Sequence, residues 1–314
     1  MVPETQPLLD IIVPTCRPPE QISRLLDSLR HAPRPAGLGS VIVVENGEPK
    51  GVEAVCQQTA AVLPLHYDHE PKPGRSFALN RGIEVSTARF LLFLDDDVYV
   101  EGQTLESYAA AFASWGESAF FGGPVAPKYE HPPADWLTAF LPDSAKGFFL
   151  WAAESEEPVN EPAFLGGNLV VPRRALVLEG FDAVSVTDGQ GGMGEETRLQ
   201  AGLLDRGYRG VYVASARVWH EVPAANCTPE WALNRLYRWG LTQGLMAEPS
   251  PEYRLFGAPF WVWRRYLGAY LHRVLGRLAG DGRDERFNQA ARIRELAGVI
   301  EGYRQRMVEG EDHG

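Results

Sequence analysis

The sequence predicts an α/β fold: a mostly parallel central sheet with flanking helices, followed by a C-terminal α-helical extension. Three observations predict it. Over roughly the first hundred residues, short apolar and β-branched runs alternate with segments of helical periodicity, the rhythm of parallel strands joined by crossover helices. The 314 residues are 45% hydrophobic and 23% charged, the composition of a globular chain long enough for two domains or one large one. Past about residue 229 the strand-like runs give way to long amphipathic segments.

The elements follow in order. Residues 8–13 (LLDIIV) form a buried strand that Pro14 is expected to end. Residues 19–31 place Ile22, Leu25, Leu26 and Leu29 at helical spacing. Residues 40–44 (SVIVV) make a second strand before a turn at Asn46-Gly47. Residues 53–62 are helical, 63–67 a third strand, 76–86 a helix behind Pro73-Gly74, and 89–94 (RFLLFL) a fourth strand. Between 120 and 220 glycine and proline are frequent. There, 164–171 (FLGGNLVV) is a loop entering a strand, 195–206 a helix, and 208–213 and 216–222 two further strands. Three amphipathic helices close the chain, with stripes at Leu233, Leu236, Leu241 and Leu245, at Trp263, Leu267, Tyr270, Val274 and Leu278, and at Ile293, Leu296, Ile300, Tyr303 and Met307.

Charge and cysteine content narrow the function classes. A net charge of −11 argues against bulk electrostatic binding of nucleic acid. Residues 253–280 depart from that balance, with Arg254, Arg264, Arg265, Arg273 and Arg277 and no acid, interleaved with Trp261, Trp263, Tyr266 and Tyr270. The expected uses are a peripheral contact with an anionic membrane, a cap over an acceptor cleft, or the face of a homodimer. Three cysteines, Cys16, Cys56 and Cys227, are an odd count without metal-ligand spacing. A reducing compartment is expected, and the first ten residues do not have the pattern of a signal peptide, so the expected location is cytoplasmic.

In open α/β sheets ligands sit beyond the carboxyl ends of the strands. That rule directs attention to Pro14-Thr15-Cys16-Arg17, to Glu45-Asn46 and to Asp95-Asp96-Asp97. Three adjacent carboxylates at a strand tip repel one another unless they share a cation, and hard oxygen ligands suit Mg²⁺ or Mn²⁺. Strand alternation would let Asp95 and Asp97 face one site while Asp96 points elsewhere. His220, ending a late strand, is a candidate ligand for the same cation. Glu195-Glu196 opens a helix, where carboxylates either favour the helix dipole or serve as a general base. The preceding residues 189–194 fit G-x-G-x-x-G only formally and are expected to be a loop beside the acids. Arg75 is placed to reach a phosphate or order a carboxylate network. Glu45 is a candidate acceptor for the imide N–H of a uracil-like base.

The motifs IIVPTCRP, VIVVENGEP, PGRSFALNRGIE, RFLLFLDDDV, FLGGNLVVPRRALVLEGFD and GEETRLQAGLLDRGYRGVYVASARVWH occur in the order that resembles the family 2 glycosyltransferases, over residues 8–222. The resemblance implies a Rossmann-like GT-A fold over 1–228, with a nucleotide-binding half at about 1–100 and an acceptor-binding half at about 101–228. It implies a nucleotide-diphosphate sugar donor, with UDP expected, Mn²⁺ or Mg²⁺, and inverting transfer to a hydroxyl of a glycan or lipid-linked acceptor. It places Pro14, Thr15 and Arg17 in the first nucleotide-contacting loop, Glu45 at the base, and Arg75 and Asn80 near the nucleotide. It gives Asp97 and His220 to the metal, Asp95 or Asp96 to the ribose, Gly167 and Asn168 to the loop near donor sugar and acceptor, and the base to Glu196, with Glu195 as its rival. Two other classes compete. A sugar-phosphate nucleotidyltransferase should carry an early glycine-rich loop for a triphosphate, and this chain has its first glycine at Gly37. A non-catalytic sugar-nucleotide-binding protein would have no need for the full set of acids.

Overall fold

Seven consecutive buried residues, Leu9–Thr15, form strand β1 at the heart of the main sheet. The structure is a computed structural model that describes residues 6–147, 157–176, 180–181, 195–247 and 254–311; the glycine-rich segment 189–194 lies outside them. The chain divides into two units, Met1–Lys128 with Lys146–Glu221, and Tyr129–Ala145 with Val222–Gly314.

In the first unit the order is β1, α1 (Pro19–His31), β2 (Leu38–Asn46), α2 (Val52–Thr59), β3 (Leu65–Glu70), α3 (Arg75–Val85), β4 (Phe90–Phe93), β5 (Val98–Val100), α4 (Thr104–Trp115), β6 (Ala119–Gly122) and β7 (Val125–Tyr129). After α5 (Asp135–Thr138) and α6 (Asp143–Lys146) come β8 (Glu157–Val159), β9 (Leu169–Pro172), α7 (Arg173–Leu176), α8 (Glu195–Asp205), β10 (Arg209–Tyr212) and β11 (Val218–Val222). The eight-stranded sheet runs β3-β2-β1-β4-β9-β6-β10-β8.

That sheet is mixed but mostly parallel, as expected: six of its eight strands share one direction, and β8 and β9 run against them. β1, β2, β3 and β4 are parallel, as the βαβ rhythm requires, but β9 lies antiparallel between β4 and β6, and β8 antiparallel on β10. A buried strand shows the same apolar run whichever way it points, so direction was not written in residues 164–171. Pro14 does not end β1. It pairs with Val44 on β2, while the register with β4 stops at Ile12↔Phe93, so its missing N–H falls where no ladder bond is needed.

Alternation along β1 builds two cores. Leu9, Ile11 and Val13 meet Ile22, Leu25, Leu26 and Leu29 of α1 and Tyr108 and Phe112 of α4. Ile12 points to the other face, with Ala78, Leu79 and Ile83 of α3 and Leu199 and Leu203 of α8. Gly82 lets α3 close onto the sheet, since a Cβ there would press 2.5 Å from Ile12. A three-stranded sheet, β5-β11-β7, sets His220 opposite Val98. No disulfide joins the cysteines; Cys56 is buried, and burial pushes its thiol up to about 12.

The second unit contains α5, all of α6 but its last residue, α9 (Pro229–Met246), the short strands β12 (Arg254–Leu255) and β13 (Ala258–Pro259), α10 (Phe260–Ala279) and α11 (Arg283–Glu311). Thr228 caps α9 by accepting from Trp231 N–H at 3.2 Å, and Pro229 occupies the first turn, where its absent N–H costs nothing. α9 and α11 meet through glycines. A Cβ on Gly240 or Gly244 would collide with the α11 backbone, and one on Gly298 or Gly302 with that of α9. Gly298→Ala is therefore expected to lower stability by about 1–3 kcal/mol in denaturant titration. Gly268→Ala, whose Cβ meets nothing within 4 Å, should be neutral or slightly stabilising. Of the α10 stripe expected from sequence, only Trp263 packs inward; Leu267, Tyr270, Val274 and Leu278 are exposed, and Val262 and Gly276 form the buried side.

Candidate active site

The end of β1, the turn after β4, the first turns of α3 and α8, the 3₁₀ turn Gly166–Asn168 and the middle of β11, where His220 is the third of five strand residues and not the last as expected, supply the candidate residues. β4 stops at Phe93, so Asp95, Asp96 and Asp97 sit in the turn before β5 and strand alternation no longer governs them. They diverge. Asp95 lies against Arg75, Asp96 turns inward to Thr15, and Asp97 faces His220 and Arg17.

Asp97 Oδ1 is 3.4 Å from His220 Nε2, and Asp97 Oδ2 accepts from Arg17 Nη1 at 2.7 Å. The β5–β11 register creates the first contact by pairing Val98 with His220. Burial pushes the Asp97 carboxyl up, but the hydrogen bond and charge of His220, together with Arg17, outweigh it and hold the group at about 2. Asp96 is deeper. Burial raises it to about 6, against the opposing pull of Arg17 and of the Thr15 hydroxyl, which donates at 2.6 Å. Asp97 is thus held as a carboxylate between His220 and Arg17. Among the described residues no three His, Cys, Asp or Glu side chains converge on one metal position; Asp97 and His220 form a pair.

Arg75 ties this turn to the helix acids. Its guanidinium donates to Asp95 Oδ1 at 2.8 and 3.1 Å and to Glu195 Oε1 at 3.0 Å. Burial alone would favour the neutral guanidine, but Asp95 and Glu195 overcome it and keep Arg75 firmly protonated. Glycines make room for the pair: a Cβ on Gly166 would press Arg75 Nη2 at 2.9 Å, and one on Gly167 would press Asp95 Oδ2 at 2.7 Å. Glu195 is buried in its ion pair. Burial and the adjacent Glu195 charge raise Glu196 above the ordinary glutamate range.

Other sequence candidates are turned toward the scaffold. Glu45 is fully buried; its carboxylate accepts from the Tyr67 hydroxyl at 2.7 Å and from Lys50 N–H at 2.5 Å, so it ties β2 to β3 and to the loop before α2. Asn168 is fully buried, accepting from Tyr108 at 2.7 Å and donating to the carbonyls of Ala216 and Pro124 at 2.8 and 3.2 Å. Asn80 exchanges two 2.8 Å bonds with the Phe181 backbone. Pro14 stays in the β1–β2 ladder. The sequence reading missed Tyr67, Lys50, Tyr108 and Gly166. Tyr108 was findable, since Leu105, Tyr108, Ala111 and Phe112 have helical spacing and all are buried.

Comparison with known proteins is consistent with this architecture. Residues 10–161 match the model of the glycosyl transferase family 2. The succinoglycan biosynthesis protein ExoM of Rhizobium meliloti (strain 1021) is 30% identical over 253 residues, 77% of this chain and 76% of that one. The glycosyltransferase AglE of Haloferax volcanii is 29% identical over 115 residues, 36% of this chain and 38% of its own. Among solved structures, the mannosyltransferase PcManGT from Pyrobaculum calidifontis, in complex with GDP-Man and Mn²⁺, superposes with a TM-score of 0.58 at 18% identity, covering 96% of this chain and 88% of its own. S. aureus TarS 1–349 in complex with UDP gives 0.50 at 14% identity, covering 96% and 92%. At such identities the structural likeness speaks for the fold, while ExoM and the family model carry the assignment: the chain belongs to glycosyl transferase family 2 and is a nucleotide-sugar-dependent glycosyltransferase.

Proposed function

We propose that the chain moves a sugar from a nucleotide-diphosphate donor to a hydroxyl of a glycan or lipid-linked acceptor with inversion, holding Mn²⁺ or Mg²⁺ at Asp97 and His220 and using Glu196 as general base. The observation that carries this reading is the 3.4 Å approach of Asp97 to His220, two residues far apart in the chain. The pair fits a divalent cation. A carboxylate oxygen and an imidazole nitrogen that close can share one ion, and such sites leave further positions to substrate phosphate and water. PcManGT, a structure of the same fold, contains Mn²⁺ with its nucleotide sugar. A cation bound there supplies positive charge to the departing diphosphate.

The chain's own residues do the rest. Arg17 is half-exposed, so its guanidinium can exchange Asp97 for a phosphate oxygen at little cost. Asp95 is the more exposed of the two ribose candidates, because Asp96 is committed to Thr15. Arg75 holds Glu195 in an ion pair at 3.0 Å, which leaves Glu196 to take the proton of the acceptor hydroxyl as that oxygen attacks the anomeric carbon.

The test is a panel of nucleotide sugars offered to chain stripped with a chelator, with nucleoside diphosphate measured before and after Mn²⁺ is restored. Release that depends on Mn²⁺ is expected. Release of pyrophosphate from a nucleoside triphosphate and a sugar phosphate, or donor binding without any turnover, would overturn the proposal.

A further inference from the structure

Helix α10 has two apolar sides, and among the described residues only one is packed. Val262, Ala269 and Gly276, seven residues apart, share the side facing the unit's own core, where Val262 and Gly276 are buried. Leu267, Leu271, Val274 and Leu278 repeat at helical spacing on roughly the opposite side, flanked by Tyr270 and Leu275. All six are exposed, from 43% for Val274 to 81% for Leu278. Scattered apolar residues on a surface need no explanation, but a continuous helical stripe does. Exposed arginines border it, Arg264 toward one edge and Arg277 toward the other, and no acid occurs between residues 253 and 280.

The charge selects the occupant. A symmetric contact with a second copy would set this same face against itself, arginine against arginine, with no carboxylate on the helix to pair them. An anionic lipid surface supplies the missing charge as headgroups and the missing apolar phase as acyl chains. Among the described residues no helix is long and apolar enough to cross a membrane. We infer that α10 lies in the plane of an anionic bilayer surface, with Leu267, Leu271, Val274 and Leu278 immersed at the acyl boundary and the flanking arginines at the headgroups. This inference goes beyond the transferase reading and does not rest on it.

Vesicle flotation of the full chain tests it. Binding to vesicles containing phosphatidylglycerol at low salt is expected, with weak or no binding to pure phosphatidylcholine. High salt or Arg264→Gln with Arg277→Gln should weaken it. Leu271→Glu with Leu278→Glu should cut it by ~10-fold or more, since each leucine would otherwise be withdrawn from water. Both leucines are exposed, so the variant's circular dichroism and Tm should match the parent. Equal binding to neutral vesicles, binding insensitive to the leucine changes, or a parent chain that ignores vesicles at low salt would overturn the inference. So would a solution dimer that the leucine changes dissociate without any vesicle binding.

Discussion

Asp97→Asn is expected to lower kcat/KM by ~10³-fold or more while leaving the fold intact. The substitution keeps the shape of the side chain but removes the charge that faces His220 and Arg17. Charge stabilisation of a leaving diphosphate is worth several kcal/mol, and about 4 kcal/mol corresponds to three powers of ten in rate. The stability cost should be modest, about 1–2 kcal/mol, because the Arg17 pair is half-exposed and screened by water while the amide keeps a hydrogen-bonding contact with the more buried His220. Steady-state kinetics beside a thermal melt checks both halves. A variant with parental turnover would remove Asp97 from the reaction, and one that unfolds would show the pair to be structural.

Glu196→Gln is expected to lower kcat by ~10²–10⁴-fold, the usual worth of a general base, with a much smaller change in donor KM. Glu195→Gln should cost less in kcat, because that carboxylate is held by Arg75. The two variants also separate in pH dependence. A protonated Glu196 cannot accept the acceptor's proton, so activity falls as pH drops through its pKa. Burial and Glu195 raise that pKa, which puts the acid limb above the ordinary glutamate value of about 4.3. Removing the Glu195 charge should move the limb down. Asp96 is raised as well, to about 6, but its partners are Arg17, Thr15 and the adjacent aspartates, so Glu195→Gln would leave its limb in place. An acid limb unmoved by Glu195→Gln would therefore contradict the assignment of Glu196.

What the sequence revealed follows from which physical signals are local. α1 was legible to the residue because Ile22, Leu25, Leu26 and Leu29 mark one helical face, and all four are buried. The tip of β4 was legible because an apolar run meets three aspartates. The pairing of Asp97 with His220 was reachable only through the resemblance, since the β5–β11 register that builds it leaves no mark on either segment. The direction of β9 was invisible for the same reason. Asn168 and Glu45 could be singled out from the sequence, yet nothing local shows that Tyr108 and Tyr67 approach from other elements to bind them. On α10 the periodicity was plain, but which neighbour covers each side is a tertiary fact.

Diffraction at the manganese absorption edge, from crystals grown with Mn²⁺ and a nucleoside diphosphate, reads the centre of this account without recourse to kinetics. It should show one anomalous peak within bonding reach of both Asp97 Oδ1 and His220 Nε2, with the diphosphate on its far side. A nucleotide bound with no peak there, or a peak held by other side chains while His220 stays paired only to Asp97, would contradict it.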